Sequence, residues 1–128
     1  MLVLSQLDHI ALSVSDPRRS EEWYRSVLGL ERRFQETWGD QPIMMCAGDT
    51  CIALFRAKRP AETSGAPPRI AMLHVAFRTD RRHFQQAQAE LRTLKIPFEF
   101  QDHQISHSIY FHDPDGHEIE ITTYLNGA

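Results

Sequence analysis

Apolar and polar residues alternate along several short stretches of the chain, and two of these stretches resemble each other. Residues 7–14 read LDHIALSV, and residues 72–78 read MLHVAFR. A period of two is typical of strands that bury one face. Each stretch leads to an aspartate, Asp16 or Asp80, and then to a helical pattern. The same strand-to-helix unit is therefore predicted twice.

Helix-end signals place the first helix at residues 17–28 and the second at residues 81–94. Asp16 is a suitable N-cap for the first helix, the proline that follows it favours the first helical turn, and Gly29 is placed to end it. In the second helix, apolar residues recur at helical spacing and define one face. Three further strands are predicted after each helix, at residues 31–38, 42–47 and 50–56 and at residues 97–102, 106–112 and 118–124.

These elements make a duplicated β-α-β-β-β unit. The chain divides at residues 59–69, where prolines and a glycine interrupt every periodic pattern. Module one then covers residues 1–58 and module two residues 70–128, both within a single domain. The predicted fold class is α+β, with two tandem modules that form a curved mixed sheet.

Length and charge fit a single globular domain that binds neither nucleic acid nor a membrane. The chain has 128 residues, enough to bury a core, and a formal net charge of −3, which offers nothing to polyanions. No segment reaches the length of a membrane span and the N-terminus lacks the basic start of a signal peptide, so a cytoplasmic location is expected. Cys46 and Cys51 can pair across a hairpin but are expected to stay reduced in that compartment.

Strand alternation sends His9, His74 and Glu120 to the faces of their strands that lie opposite the apolar residues. If each module packs its apolar face on its own helix, the three side chains point toward a shared concave surface. A single histidine on a strand is more often structural than a ligand. His9 and His74 occupy matching positions of the two modules, however, and this favours a joint role.

Two histidines and one carboxylate form a facial triad, the ligand set typical of non-haem Fe(II) sites that activate oxygen. His9, His74 and Glu120 therefore predict a divalent metal centre with open positions for a substrate. Fe(II) is the favoured ion, and Mn(II), Zn(II) or Ni(II) can occupy the same donors.

Several motifs resemble the vicinal oxygen chelate superfamily, which includes glyoxalase I, extradiol ring-cleavage dioxygenases, and fosfomycin- and bleomycin-resistance proteins. The matching segments are LDHIALSVSD and WYRSVLGL in module one, and LHVAF and YFHDPDGHEIEI in module two. The resemblance covers essentially the whole chain and implies paired modules curled around a metal held by His9, His74 and Glu120. Ala53 stands where glyoxalase I has a fourth, carboxylate ligand, so three ligands are expected.

Within the superfamily, the stretch from His103 to Glu120 is most similar to extradiol dioxygenases. Their pattern has a histidine, an apolar-Tyr pair, an Asp-Pro-x-Gly turn and the ligand glutamate, and Tyr110 and Asp113–Gly116 supply the middle parts here. The resemblance implies that His103 acts as acid and base and that Tyr110 hydrogen-bonds a substrate oxygen. His107 is an alternative for the histidine role, and core packing is an alternative for Tyr110.

Three functions follow from these residues and the resemblance. The favoured one is an Fe(II) extradiol-type dioxygenase acting on a small catechol-like compound. The alternative is a metal-dependent transferase, hydrolase or lyase of the fosfomycin-resistance or glyoxalase type. Fosfomycin itself is not the expected substrate, because the Lys and Ser cluster that would hold a phosphonate is missing before Ser106. The third is a metal-free protein that binds and sequesters a drug. Such a protein would not need the triad of His9, His74 and Glu120.

The expected partners are a small-molecule substrate and a second copy of the chain. The resemblance implies a homodimer in which His9 of one chain can complete the site of the other. The substrate pocket is expected to have apolar walls, formed by Phe34, Trp38, Met44, Phe55 and Phe100.

Overall fold

The computed structural model describes residues 1–58 and 72–126. The chain separates into two compact units, Met1–Pro67 and Pro68–Ala128. Each unit contains a β-α-β-β-β module with a mixed four-stranded sheet. The predicted α+β class and the duplicated module are therefore confirmed. The linker predicted at residues 59–69 lies outside the described residues.

Module one contains the predicted elements and one additional short helix. The sheet order is β1-β4-β3-β2, with β1 parallel to β4 and the other neighbours antiparallel. Helix α1 packs on β3 and β4, and the carboxylate of its N-cap Asp16 accepts hydrogen bonds from the backbone N–H groups of Arg18 and Arg19. The elements are β1 (His9–Val14), α1 (Pro17–Ser26), β2 (Glu31–Arg33), α2 (Gln35–Trp38), β3 (Ile43–Ala47) and β4 (Thr50–Arg56).

Module two repeats this arrangement without the additional helix. Its sheet order is β5-β8-β7-β6, and β5 is parallel to β8. Helix α3 starts after Asp80, which accepts a hydrogen bond from the backbone N–H of His83, and it buries Phe84 and Leu91. None of the helices in the described parts of the chain is long and apolar enough to span a membrane. The elements are β5 (Val75–Arg78), α3 (Arg81–Thr93), β6 (Glu99–Asp102), β7 (Ser106–His112) and β8 (Glu118–Tyr124).

The strand predicted at residues 31–38 is much shorter than expected. It ends at Arg33, because Phe34 adopts a left-handed backbone conformation with φ 62°. The carbonyl of Phe34 accepts hydrogen bonds from the N–H groups of Thr37 and Trp38, and these bonds close the single turn of α2. Extended geometry cannot continue through a residue in this conformation.

A disulfide joins Cys46 on β3 to Cys51 on β4. The expectation of two reduced thiols is therefore wrong for this structure. The two residues are direct partners in the antiparallel register, so strand pairing brings the side chains together on one face of the sheet.

Arg32 ties β2 to α1 and to the loop after α2. Its guanidinium is 3.3 Å from Glu21 on α1 and 2.6 Å from Asp40, and it donates a hydrogen bond of 2.6 Å to the carbonyl of Gly39. The Arg32 side chain is only 7% exposed and that of Glu21 only 10%. Hydrogen bonds from Arg32 and, to a lesser extent, Arg18 hold the pKa of Asp40 below its usual value. The network is thus partly buried, and Arg32 is the cation that joins Glu21 to Asp40.

Replacement of Arg32 by methionine should reduce the free energy of unfolding by about 2–3 kcal/mol, because it leaves a buried carboxylate with one partner fewer. Chemical denaturation measures the change. Arg33→Met is the matched control, since its side chain points to the other face of β2, and it should cost about 1 kcal/mol or less. Equal losses in the two variants would contradict this role of Arg32.

Candidate metal centre

His74 and Glu120 are brought together by the parallel pairing of β5 and β8. Ala76 is the register partner of Glu120, so His74 lies two residues earlier and on the same face of the sheet. The His74 Nε2 and Glu120 Oε1 atoms are 3.0 Å apart. This pair forms within module two and needs no other part of the chain.

The Glu120 carboxylate is buried and fixed from both sides. Glu120 is only 8% exposed, and Ser108 Oγ donates a hydrogen bond of 2.7 Å to its Oε2 atom. Ser108 Oγ also lies 3.0 Å from Thr122 Oγ1. With one oxygen held by Ser108, the other is directed toward His74. A buried carboxylate of this kind needs strong partners.

Tyr110 and His103 lie beside this pair. Tyr110 is the register partner of Glu120 across β7 and β8, and its ring meets the His74 ring edge-on at 5.8 Å between centroids. His103 Nε2 shares a hydrogen bond of 2.9 Å with the Tyr110 hydroxyl, with a direction set by the imidazole tautomer. Module two therefore collects four of the five predicted site residues on one face.

The phenol of Tyr110 is kept in its protonated form. Burial raises the pKa of Tyr110 above the usual value of 10.0, and the charge of Glu120 and a hydrogen bond with it raise it further. At neutral pH the group is therefore a hydrogen-bond donor, as the stabilisation of a developing oxyanion requires.

The donors of module two fit a divalent metal. Two ligands at about 2.1 Å from an ion and at a right angle to each other lie about 3.0 Å apart, which is the observed spacing of His74 Nε2 and Glu120 Oε1. Within residues 1–58 and 72–126, no group of three or more His, Cys, Asp or Glu side chains is gathered closely enough to hold a metal. A complete site therefore needs a donor in addition to this pair.

His9, the third predicted donor, lies in module one. Its Nδ1 is 2.8 Å from the carboxylate of Asp8, and the side chain is 42% exposed. This contact leaves Nε2 as the ring nitrogen that can bind an ion, an arrangement common among metal-ligating histidines. Ala11 is the register partner of Ala53, as Ala76 is of Glu120 in module two. Ala53 thus occupies the position equivalent to Glu120.

The sequence matches the Glyoxalase/Bleomycin resistance protein/Dioxygenase superfamily over residues 6–121. The chain belongs to this superfamily. It is 30% identical over 126 residues to the metallothiol transferase FosB of Staphylococcus epidermidis (strain ATCC 12228 / FDA PCI 1200), covering 94% of this chain and 82% of that protein. It is 28% identical over 121 residues to the glutathione transferase FosA of Serratia marcescens, covering 93% and 81%.

The fold of the superfamily is seen in solved structures as well. A glyoxalase/dioxygenase from Nostoc punctiforme superposes with a TM-score of 0.75 at 24% identity, over 97% of both chains. This likeness establishes the fold alone. The two sequence relatives are transferases by name, so they support the transferase alternative rather than the extradiol expectation.

The structure contradicts the expectation that Phe100 lines the substrate pocket and the alternative that His107 takes the role of His103. Phe100 pairs with Ile109 and packs against Phe84 of α3 at 6.4 Å between ring centroids. It therefore lies on the helix side of the sheet and not on the face of Glu120. His107 is on that side too, with its ring 5.1 Å from Phe100, so it does not replace His103 beside Tyr110.

Ser108 is the site residue that the sequence reading missed. It sits two positions before Tyr110 on β7, so strand alternation alone places both on the face of Glu120. The signal was present in the order Ser-x-Tyr, but the contact becomes visible only with the register of β7 against β8.

The raised pKa of Tyr110 can be measured in the metal-free protein. The phenolate absorbance that Tyr110→Phe removes from a spectrophotometric titration should develop above pH 10.0. In Glu120→Gln, the same component should appear at lower pH, because a neutral neighbour no longer opposes ionisation of the phenol. An unchanged transition in Glu120→Gln would contradict the coupling of the two groups.

Proposed function

We propose that the protein is a divalent-metal-dependent transferase that adds a thiol to a small electrophile whose oxygen becomes anionic. The observation that carries this proposal is the 3.0 Å pair of His74 and Glu120 with the Tyr110 hydroxyl beside it. The names of the two relatives, a metallothiol transferase and a glutathione transferase, support the reaction class.

His9, His74 and Glu120 would hold the metal. Ser108 keeps the Glu120 carboxylate in one orientation, and Asp8 does the same for the His9 ring. A bound divalent ion would act as a Lewis acid that stabilises negative charge on a substrate oxygen. Fe(II), Mn(II), Zn(II) and Ni(II) all suit an imidazole and carboxylate donor set.

The remaining side chains would handle protons. Tyr110 donates a hydrogen bond to the substrate oxygen while the carbon–oxygen bond breaks and the carbon–sulfur bond forms. His103 accepts the proton of the incoming thiol and returns it to the product alkoxide, so that no net proton is consumed. The hydrogen bond of His103 to Tyr110 keeps both groups together.

The substrate is proposed to lack a phosphonate. No lysine or arginine follows Glu120, and the segment between Ile96 and Ser106 contains neither lysine nor serine. A dianionic group would therefore find few cationic partners near this end of module two. A neutral or singly charged electrophile, such as an epoxide on an apolar body, is the proposed class.

An Fe(II) extradiol dioxygenase is the second candidate function. The specific observation in its favour is the 2.9 Å contact between His103 and Tyr110, which are the two residues that the extradiol pattern pairs. A catechol needs a base for its hydroxyl protons and a donor for the oxyanion, and His103 and Tyr110 can fill these roles.

Metal binding tests the ligand set that both functions share. Glu120→Gln should lower the affinity for Mn(II) or Co(II) by about 100-fold or more, and Ser108→Ala by about 10-fold because the carboxylate loses its support. Isothermal titration calorimetry measures both. Glu118→Gln, two residues away on the same strand, is the matched control and should retain wild-type affinity.

The location of His9 in the site is tested with the same assay. A mixture of His9→Ala and Glu120→Ala chains should recover part of the binding if two chains share the site, and none if each site lies within one chain. Wild-type affinity in both Glu120→Gln and His9→Ala would overturn the proposed ligand set.

The reaction itself separates the two candidate functions. The metal-loaded protein should consume glutathione or cysteine in the presence of small epoxides, and Tyr110→Phe should lower kcat by about 100-fold or more while metal affinity is kept. Loss of free thiol over time is the measurement. Oxygen uptake with catechols by the Fe(II) form, without thiol consumption, would replace the transferase by the dioxygenase.

A further inference from the structure

Four potential metal donors share one row across the sheet of module one. Glu31 on β2 is the register partner of Cys46 on β3, Cys46 is the partner of Cys51 on β4, and Cys51 is the partner of His9 on β1. Directly paired residues point to the same face of a sheet. The row therefore reads Glu31, Cys46, Cys51, His9 on one face. In the disulfide form these four side chains do not make a metal site.

This face is the one opposite helix α1. Arg32, next to Glu31, contacts Glu21 of α1, so Glu31 points away from the helix. The two sulfurs at the centre of the row are soft ligands. Cys46 is also shielded from solvent, because it is 1% exposed and packs with Met44 and Ala53. Cys51 is partly buried. It is therefore the more exposed of the two cysteines, and His9 and Glu31 at the ends of the row are exposed.

The disulfide in the middle of this row contributes little that the backbone does not already provide. The two cysteines are only five positions apart in the sequence, and short loops gain least from covalent closure. Strands β3 and β4 are also paired by backbone register from Ile43 to Ala47. The hairpin therefore keeps its shape when the bond opens, and the two sulfurs stay in the row.

We propose that reduced Cys46 and Cys51 form, together with His9, a second metal site that takes a thiophilic divalent ion such as Zn(II), and that the disulfide is its closed form. A dithiol reductant opens the bond: the protein gains two electrons and two protons, and the reductant becomes a disulfide. On metal binding, each cysteine releases its proton to solvent and becomes a thiolate ligand.

The spacing and the side chains suit such an ion. Four residues separate the cysteines, within the range of about two to four found in zinc sites. Two sulfurs at about 2.3 Å from a tetrahedral ion lie about 3.8 Å apart, a separation that side-chain rotation allows for directly paired residues. Asp8 holds Nδ1 of His9 and leaves Nε2 for the ion. Glu31, at the other end of the row, can fill the fourth position.

The second site would make the use of His9 depend on the redox state. In the disulfide form, His9 is available to the metal that His74 and Glu120 bind under the proposed function. In the reduced, zinc-bound form, His9 is taken by the thiolates. Under reducing conditions with zinc present, His9 would therefore no longer be available to the metal that His74 and Glu120 bind. The thiolate site itself does not rest on the proposed function.

Co(II) is the probe for this site, because thiolate ligands give it an intense charge-transfer absorption that nitrogen and oxygen ligands do not. Reduced, desalted protein titrated with Co(II) under argon should develop this band, and Zn(II) should abolish it by displacement. The oxidised protein should not show the band. Cys46→Ala and Cys51→Ser should each lose it, and His9→Ala should weaken Co(II) binding at least about tenfold.

Glu120→Gln is the control that separates this site from the one proposed above. It should leave the thiolate band and its midpoint unchanged, even though it removes the carboxylate donor of module two. Circular dichroism establishes that each variant is folded before titration. Absence of the band in the reduced wild type, an unchanged midpoint in His9→Ala, or loss of the band in Glu120→Gln would each overturn the proposal.

Discussion

The parallel pairing of the first and last strands of each module is the constraint on which the candidate sites depend. Because β5 lies beside β8 with Ala76 opposite Glu120, His74 reaches the Glu120 carboxylate at 3.0 Å. A shift of the register by one residue would turn Glu120 to the face of α3 and separate the pair. The backbone hydrogen bonds of a short parallel ladder therefore decide whether two ordinary side chains can act together.

Local signals were sufficient for most of the fold. Asp16 and Pro17 mark the start of α1 because a capping carboxylate and a fixed φ act within a few residues, and the observed cap has this form. Strand alternation depends only on neighbouring residues as well, so the buried Leu12 and Val14 and the outward His9 follow from the sequence. The choice of His74 and Glu120 as candidates needed only residue type, strand face and a repeat.

What the sequence could not supply depends on contacts between distant residues. The early end of β2 is an exception, because it follows from the left-handed backbone of Phe34, a conformation that this residue type does not indicate. Ser108 supports Glu120 only because β7 and β8 pair in one particular register. The misplaced Phe100 has the same origin: with Tyr110 on the site face, its partner Glu99 shares that face and Phe100 does not. The register of strand pairing, rather than residue type, decides that Ser108 lies at the site and Phe100 does not.

The two copies of the module use equivalent positions for different chemistry. Module two keeps a carboxylate at Glu120, buried and hydrogen-bonded, where module one has Ala53. Module one instead places a pair of sulfurs beside His9. An alanine at the carboxylate position removes a hard oxygen donor from the neighbourhood of the cysteines, and soft sulfur ligands select different ions from those that oxygen ligands select. Duplication of one strand register thus provides two imidazoles in equivalent places, with a buried carboxylate beside His74 and a sulfur beside His9.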